Sequence, residues 1–320
     1  MPAISCSAPG KIILCGEHAV VYGKPAIAIP VFNVATNCRI IAQPTASSNE
    51  TLIAAPGIGL RSRLSSLREN HPIRKAIEFV LDSMKLDHLP SCEIHINSSI
   101  PSAAGLGSSA STSIALVRAL SMYLGHPFDD AEVSRIAFEI EKIHHGTPSG
   151  IDTTVITYGK PLFFIKNYPY ELLHLRNSIT LVIADTGIKS STAKVVAEVR
   201  SNWEKSHREF ENYFDQIQDI SRNVKRCLES GNNLTLGELL NRNHCILIEM
   251  GISCSKLDIL VKCALENGAQ GAKLSGGGQG GNIIALVSSE KAETVAEAIR
   301  NAGAVNTIIT RVPSEDEKAK

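Results

Sequence analysis

The amino-acid sequence reads as an α+β chain folded into two domains. Its 320 residues are enough to build two hydrophobic cores. Short strand-like and helix-like runs alternate through the first half. In the second half the patterns follow in the order β-α-α-α-α-β-β-α-β, which suits helices covering one face of an antiparallel sheet.

Residues 4–16 and 25–43 read as strands, with Ala26-Ile27-Ala28-Ile29 and Arg39-Ile40-Ile41 as typical stretches. Residues 45–70 are polar and rich in turn formers, and Pro56-Gly57-Ile58-Gly59 marks a loop. His71 to Met84 has helical spacing, with Ile73, Ala76, Ile77 and Val80 on one face. Cys92 to Asn97 alternates with period two and reads as a strand. A helix follows through Ile114, Leu116 and Val117 to about Tyr123. Another spans Asp130 to His145, with Val133, Ile136, Ile140 and Ile143 as its apolar stripe. Ile179 to Asp185 is a short apolar run, hence a buried strand. Helical runs at about 190–208, 210–230, 234–250 and 254–268 come next. Strands flank a glycine-rich segment near residue 276, a helix covers about 289–302, and Asn306 to Thr310 forms the last strand. The domain boundary falls near residue 170, giving domains 1–170 and 171–313, with 314–320 as a charged, disordered tail.

Composition narrows the function classes. Apolar residues make up 43% of the chain, as in soluble globular proteins. Lys+Arg and Asp+Glu both number 32, so no net field draws the chain to nucleic acid or to a membrane. The partner expected is a small-molecule substrate, and a homodimer is the assembly to test. The eight cysteines show no C-x-x-C spacing and read as thiols rather than zinc ligands or disulfides. With no leader pattern and no long apolar run, a cytoplasmic location is expected.

The segment Pro101-Ser102-Ala103-Ala104-Gly105-Leu106-Gly107-Ser108-Ser109-Ala110-Ser111 lies between a strand and a helix. A glycine-rich turn there lets backbone N–H groups gather on an anion, with the positive helix end behind them. Ser108 and Ser109 put two hydroxyls at the helix start, able to cap it or to reach a metal. No stretch satisfies the P-loop pattern G-x-x-x-x-G-K-[ST]. Gly105 to Ala110 fits G-x-G-x-x-A, yet the turn Gly125-His126-Pro127 occupies the place where a dinucleotide fold needs a strand ending in an acid.

Two further blocks accompany it: Ala8-Pro9-Gly10-Lys11 through Gly16-Glu17-His18-Ala19-Val20-Val21-Tyr22-Gly23, and Lys273-Leu274-Ser275-Gly276-Gly277-Gly278-Gln279-Gly280-Gly281-Asn282. In this order the three blocks resemble the small-molecule kinase superfamily named for galactokinase, homoserine kinase, mevalonate kinase and phosphomevalonate kinase. The first block resembles that of the mevalonate kinases within it. The resemblance implies an N-terminal domain like ribosomal protein S5 and a C-terminal ferredoxin-like domain. It also implies ATP as co-substrate, Mg²⁺ as metal, and phosphorylation of the 5-hydroxyl of mevalonate in isoprenoid synthesis. Alternatives are a relative acting on phosphomevalonate, on the 3-hydroxyl or on homoserine, and, in a different class, a ligand sensor without catalysis. The joint presence of Lys11, Glu141 and Asp152 argues against the sensor.

Phosphoryl transfer needs positioned phosphates, a metal and a group that orients the attacking hydroxyl. The resemblance assigns the phosphates to Pro101, Ala104, Gly105, Leu106, Gly107, Ser108, Ser109, Ala110, Gly276, Gly277 and Gly278. For the metal, Glu139 and Glu141 flank Ile140 by about 100° on either side, so periodicity does not separate them. Glu139 also lies four residues after Arg135, a spacing for a surface ion pair. The resemblance selects Glu141, with Ser108 and Ser109 both left as hydroxyl ligands. Asp152 follows the turn Pro148-Ser149-Gly150, and from the residues alone it reads most simply as a helix N-cap. The resemblance makes it the catalytic base, with Lys11 as the ammonium beside it. It also places Glu17, His18 and Arg200 at the substrate. His144 and His145 receive no role. The third block departs from the family pattern K-x-T-G-A-G-G-G-G-C at Ser275, Gly277, Gln279 and Asn282. A glutamine at 279 is strained if that position needs positive φ.

Overall fold

A computed structural model of the chain describes residues 3–44, 51–101, 104–145 and 148–318. The chain forms two compact units that interleave in sequence. One holds the described residues of 1–10, 34–102 and 107–159, and the other those of 11–33, 103–106 and 160–320. Where a single cut near residue 170 was expected, residues 11–33 and 103–106 join the C-terminal part. Their hydrogen bonds to the third glycine block, described below, account for that.

Strands β1 (Ala3–Cys15) and β2 (Ala26–Ala42) each contribute residues to both units. In the first unit, β3 (Leu52–Ala55) and β4 (Leu60–Arg63) make a hairpin within the stretch expected to be turns. Each strand has only four residues in a polar setting, but Ile53 and Ala55 are buried, as the pleat requires. Helix α1 (Pro72–Met84) buries Ile73, Ala76, Ile77 and Val80, as its periodicity predicted. His71 caps it by accepting the Ile73 N–H, and Pro72 fills the first turn. Strand β5 (Cys92–Ser98) pairs antiparallel with residues 36–42 of β2 and parallel with β3. Helices α2 (Ser108–Tyr123), α3 (Asp130–His145) and α4 (Ile151–Tyr158) follow. Helix α2 packs on β5 and on α1, α3 and α4. In α3, Val133, Ile136 and Ile140 are buried, whereas Ile143 lies at the exposed end of the stripe.

Beyond its share of β1 and β2, the second unit contains β6 (Leu162–Phe164), paired with residues 26–28 of β2, and β7 (Glu171–Leu172). Strand β8 (Ile179–Asp185) leads into α5 (Thr192–Lys205), α6 (His207–Ser230), α7 (Asn233–Glu249) and α8 (Ser255–Glu266). Then come β9 (Gly271–Ser275), β10 (Asn282–Val287), α9 (Ala292–Asn301) and β11 (Asn306–Val312). The sheet is antiparallel in the order β11-β8-β10-β9, with α7, α8 and α9 packed on its strands. This is the α+β order read from the sequence. The expected disordered tail needs correction: Ser314 is buried and Glu315–Lys318 form a helical turn, α10. The Glu315 N–H bonds the Leu175 carbonyl, and Arg311 pairs with Glu317 at 2.7 Å, which holds the segment down. Residues 319–320 lie outside the described residues. Among the described residues, no helix is long and apolar enough to cross a membrane.

Candidate active site

In the first unit, Gly107 of the glycine-rich segment leads into α2. Gly107 is its N-cap at φ 75°, a left-handed conformation that favours glycine. No side chain caps the helix there, so its first N–H groups stay available to an anion. Ser108 and Ser109 are half-buried in the first turn, and Ala110 is buried. The Ser109 hydroxyl donates to Glu141 Oε1 on α3 at 2.5 Å. Glu141 is 4% exposed, while Glu139 faces solvent and pairs with Lys142 at 2.7 Å. Tertiary burial thus separates two glutamates that periodicity could not. The expected Arg135–Glu139 pair is corrected as well: Arg135 grips Glu132 through two nitrogens, at 2.7 and 2.8 Å.

Asp152 is the second residue of α4, and Gly150 is the N-cap, so the N-cap reading of Asp152 is corrected by two positions. The turn before it is tied to the helix. Ser149 Oγ accepts the Ile151 N–H, and the Thr153 and Thr154 hydroxyls donate to the Gly150 carbonyl. Ile151 and Val155 are buried, which leaves Asp152 half-buried at the positive end of a well-anchored helix. Of the motif around it, Gly146 and Thr147 lie outside the described residues. Pro101 is half-buried just before the loop.

In the second unit the three glycine blocks meet through hydrogen bonds. The Lys11 N–H donates to the Leu106 carbonyl at 2.9 Å, and the Lys11 side chain is mostly buried. Ala104 and Leu106 are buried, while Gly105 between them is exposed at φ 71°. Asn282 Nδ2 donates to the Ala104 carbonyl. Ser275 Oγ donates to the Ile13 carbonyl at 2.7 Å. His18, at φ 59°, bonds the Gly277 carbonyl through Nε2 at 2.9 Å. Burial pushes the His18 imidazole pKa down, so the ring is neutral and Nε2–H is the donor. Gly278 must be glycine, because a Cβ there would sit 2.3 Å from Ile252.

Glu17 and His18, expected at the substrate, are therefore engaged with the third block. Glu17 forms a buried ion pair with Lys273 of β9, whose side chain is 0% exposed. Lys273 stood in the third block without a role. Its signal was a lysine in a run otherwise apolar enough for a central strand, a charge that must find a counter-ion. Arg200 is an exposed residue of α5 that pairs with Glu204 at 3.2 Å.

Residues 71–160 match the family described as GHMP kinases N terminal domain, and residues 224–305 match GHMP kinases C terminal. The chain is 35% identical to the mevalonate kinase of Pyrococcus horikoshii, over 98% of this chain and 96% of that one. It resembles the crystal structure of L. major mevalonate kinase in complex with R-mevalonate. The TM-score is 0.84 and the identity 30%, covering 97% of this chain and 96% of that one. The Methanococcus jannaschii mevalonate kinase structure aligns with TM-score 0.83 at 28% identity, over 98% of both chains. Fold, glycine blocks and full-length relatives agree. The chain belongs to the GHMP kinase family.

Proposed function

We propose that the chain transfers the terminal phosphoryl group of ATP to the 5-hydroxyl of mevalonate. The observation that carries this reading is the hydrogen-bonded union of Lys11, the phosphate loop and the third block within the second unit. The likeness to mevalonate kinases over nearly the full length supports it. The proposal assigns the phosphate-binding and catalytic groups chiefly to residues 1–170. Backbone N–H groups from Gly105 to Ala110 and from Gly276 to Gly278 would hold the phosphates.

The half-buried Ser109 and the buried Glu141 offer two hard oxygen donors in contact, which fits Mg²⁺. Ser108 stays a candidate in the same turn. Bound there, the metal would spread the charge of the transferring group. Asp152 orients the 5-hydroxyl and takes its proton, and Lys11 supplies positive charge toward the developing alkoxide. Glu17 and His18 serve by holding the third block in place. Arg200 would balance the mevalonate carboxylate, because an exposed pair such as Arg200–Glu204 is weak enough to exchange partners.

Glu141→Gln should weaken the metal-dependent step far more than Glu139→Gln. Magnesium titrations of both variants check this, and a larger defect in the Glu139 variant would remove Glu141 from the metal. On substrate choice, the Ala19-Val20-Val21 run of the first block has no polar group for a polyol. Hydroxyls buried without partners lose about 1–3 kcal/mol each. Mevalonate should be turned over, with galactose and homoserine poor, and phosphorus NMR should show phosphate on the 5-oxygen. Phosphate on the 3-oxygen, or turnover of phosphomevalonate alone, would overturn the substrate assignment.

A further inference from the structure

Two residues of the third block carry side chains that the family pattern lacks, Gln279 for glycine and Asn282 for cysteine. In the second unit each has found a specific partner. Asn282, the first residue of β10, is 3% exposed, and its amide donates to the Ala104 carbonyl. Together with the bond from Lys11 N–H to Leu106, this grips the phosphate loop at two carbonyls, one on either side of Gly105. Both carbonyls are held, so the Ala104–Gly105 and Leu106–Gly107 peptide planes are fixed in orientation. A cysteine thiol is a weaker donor than an amide and could not hold Ala104 as firmly.

Gln279 adopts φ 53°, the left-handed region that a glutamine enters only with strain. Its surroundings overcome that strain. The main-chain N–H donates to the Ile252 carbonyl at 2.8 Å, and the side-chain Nε2 donates to Glu198 Oε2 on α5 at 2.8 Å. The chain leading into α5 is bound to the same loop, since the Gly281 N–H donates to the Ile188 carbonyl at 3.0 Å. A backbone conformation that glycine would accept freely is thus kept by a residue whose side chain reaches the helix.

We propose that Asn282 and Gln279 are positioning residues that make the third block a two-ended strut, Asn282 setting the phosphate loop and Gln279 setting α5 for the acid substrate. The inference rests on the kinase reading above. Asn282→Ala should raise the KM for ATP and weaken ADP binding roughly tenfold, with the KM for mevalonate little changed. Gln279→Ala should do the reverse, raising the KM for mevalonate roughly fivefold or more at nearly constant KM for ATP. Glu198→Gln keeps an oxygen acceptor for Gln279 and should match the parent, while Glu198→Ala should behave as Gln279→Ala. Hydrogen exchange should quicken at residues 104–107 in the Asn282 variant and at 192–198 in the Gln279 variant.

Equal loss of stability in both variants, with the ratio of the two KM values unchanged and exchange raised throughout the unit, would reduce both residues to packing and overturn the proposal. If Asn282→Ala does not fold, Asn282→Cys restores the family residue and is read the same way. ADP binding and hydrogen exchange do not depend on which hydroxyl is phosphorylated. They therefore test the strut even if mevalonate proves not to be the substrate.

Discussion

Asp152→Asn is expected to leave ATP binding largely intact while lowering turnover by roughly 10²–10⁴-fold, the usual share of one positioned acid–base group. The expectation comes from where the carboxylate stands. It lies in the first turn of α4, behind a turn anchored by Ser149, Thr153 and Thr154 and in front of the buried Ile151 and Val155. Asparagine preserves the shape of that group while removing its charge and its ability to take a proton. The N–H groups proposed to hold the phosphates belong to other segments, so nucleotide affinity should be preserved. Single-turnover kinetics beside a binding isotherm separate the two quantities. Near-normal turnover would remove Asp152 from the base role, and loss of nucleotide binding would mean that its role is structural.

The parts of the site legible in the sequence are those whose chemistry is local. Glycines at 105 and 107 with hydroxyls at 108 and 109 make one short run, the turn before Asp152 makes another, and the spacing within each is readable locally. The apolar stripes of α1 and α3 were legible for the same reason, because 3.6-residue periodicity is a local signal. What stayed hidden depends on distant partners. Periodicity left Glu139 and Glu141 equivalent, and the contact of Glu141 with Ser109, thirty-two positions away in the chain, and its burial are visible only in the fold. The ion pair of Glu17 with Lys273, 256 residues later, has no local signal at all. The hairpin β3–β4 and the strands β6 and β7 are four residues long or shorter. Such strands take their stability from neighbours rather than from their own pattern. The cost of Gln279 could be stated from sequence as a condition on φ, but only the structure supplied Glu198 as the compensating contact.

Lys273→Met should destabilise the second unit by about 3–5 kcal/mol, the usual consequence of removing one partner from a buried ion pair. Methionine has nearly the length of lysine, so packing changes little and the effect isolates the charge. Among the described residues, Glu17 Oε2 already has no hydrogen-bond partner, and its other oxygen bonds Lys273. His244 is a poor substitute, because burial, the largest cause of its lowered pKa, persists in the variant, and its Nδ1 accepts the Leu274 N–H. The variant therefore keeps a buried carboxylate with no counter-ion. Adding Glu17→Gln should recover much of the loss, since a buried pair replaced on both sides is often nearly neutral. Urea unfolding of the parent, both single variants and the double variant closes the cycle. Additive losses below about 1 kcal/mol would instead mean that water reaches the pair, as in a surface salt bridge. Because Glu17 precedes His18, whose Nε2 holds the Gly277 carbonyl, the same substitution should loosen the third block and weaken ATP binding along with stability.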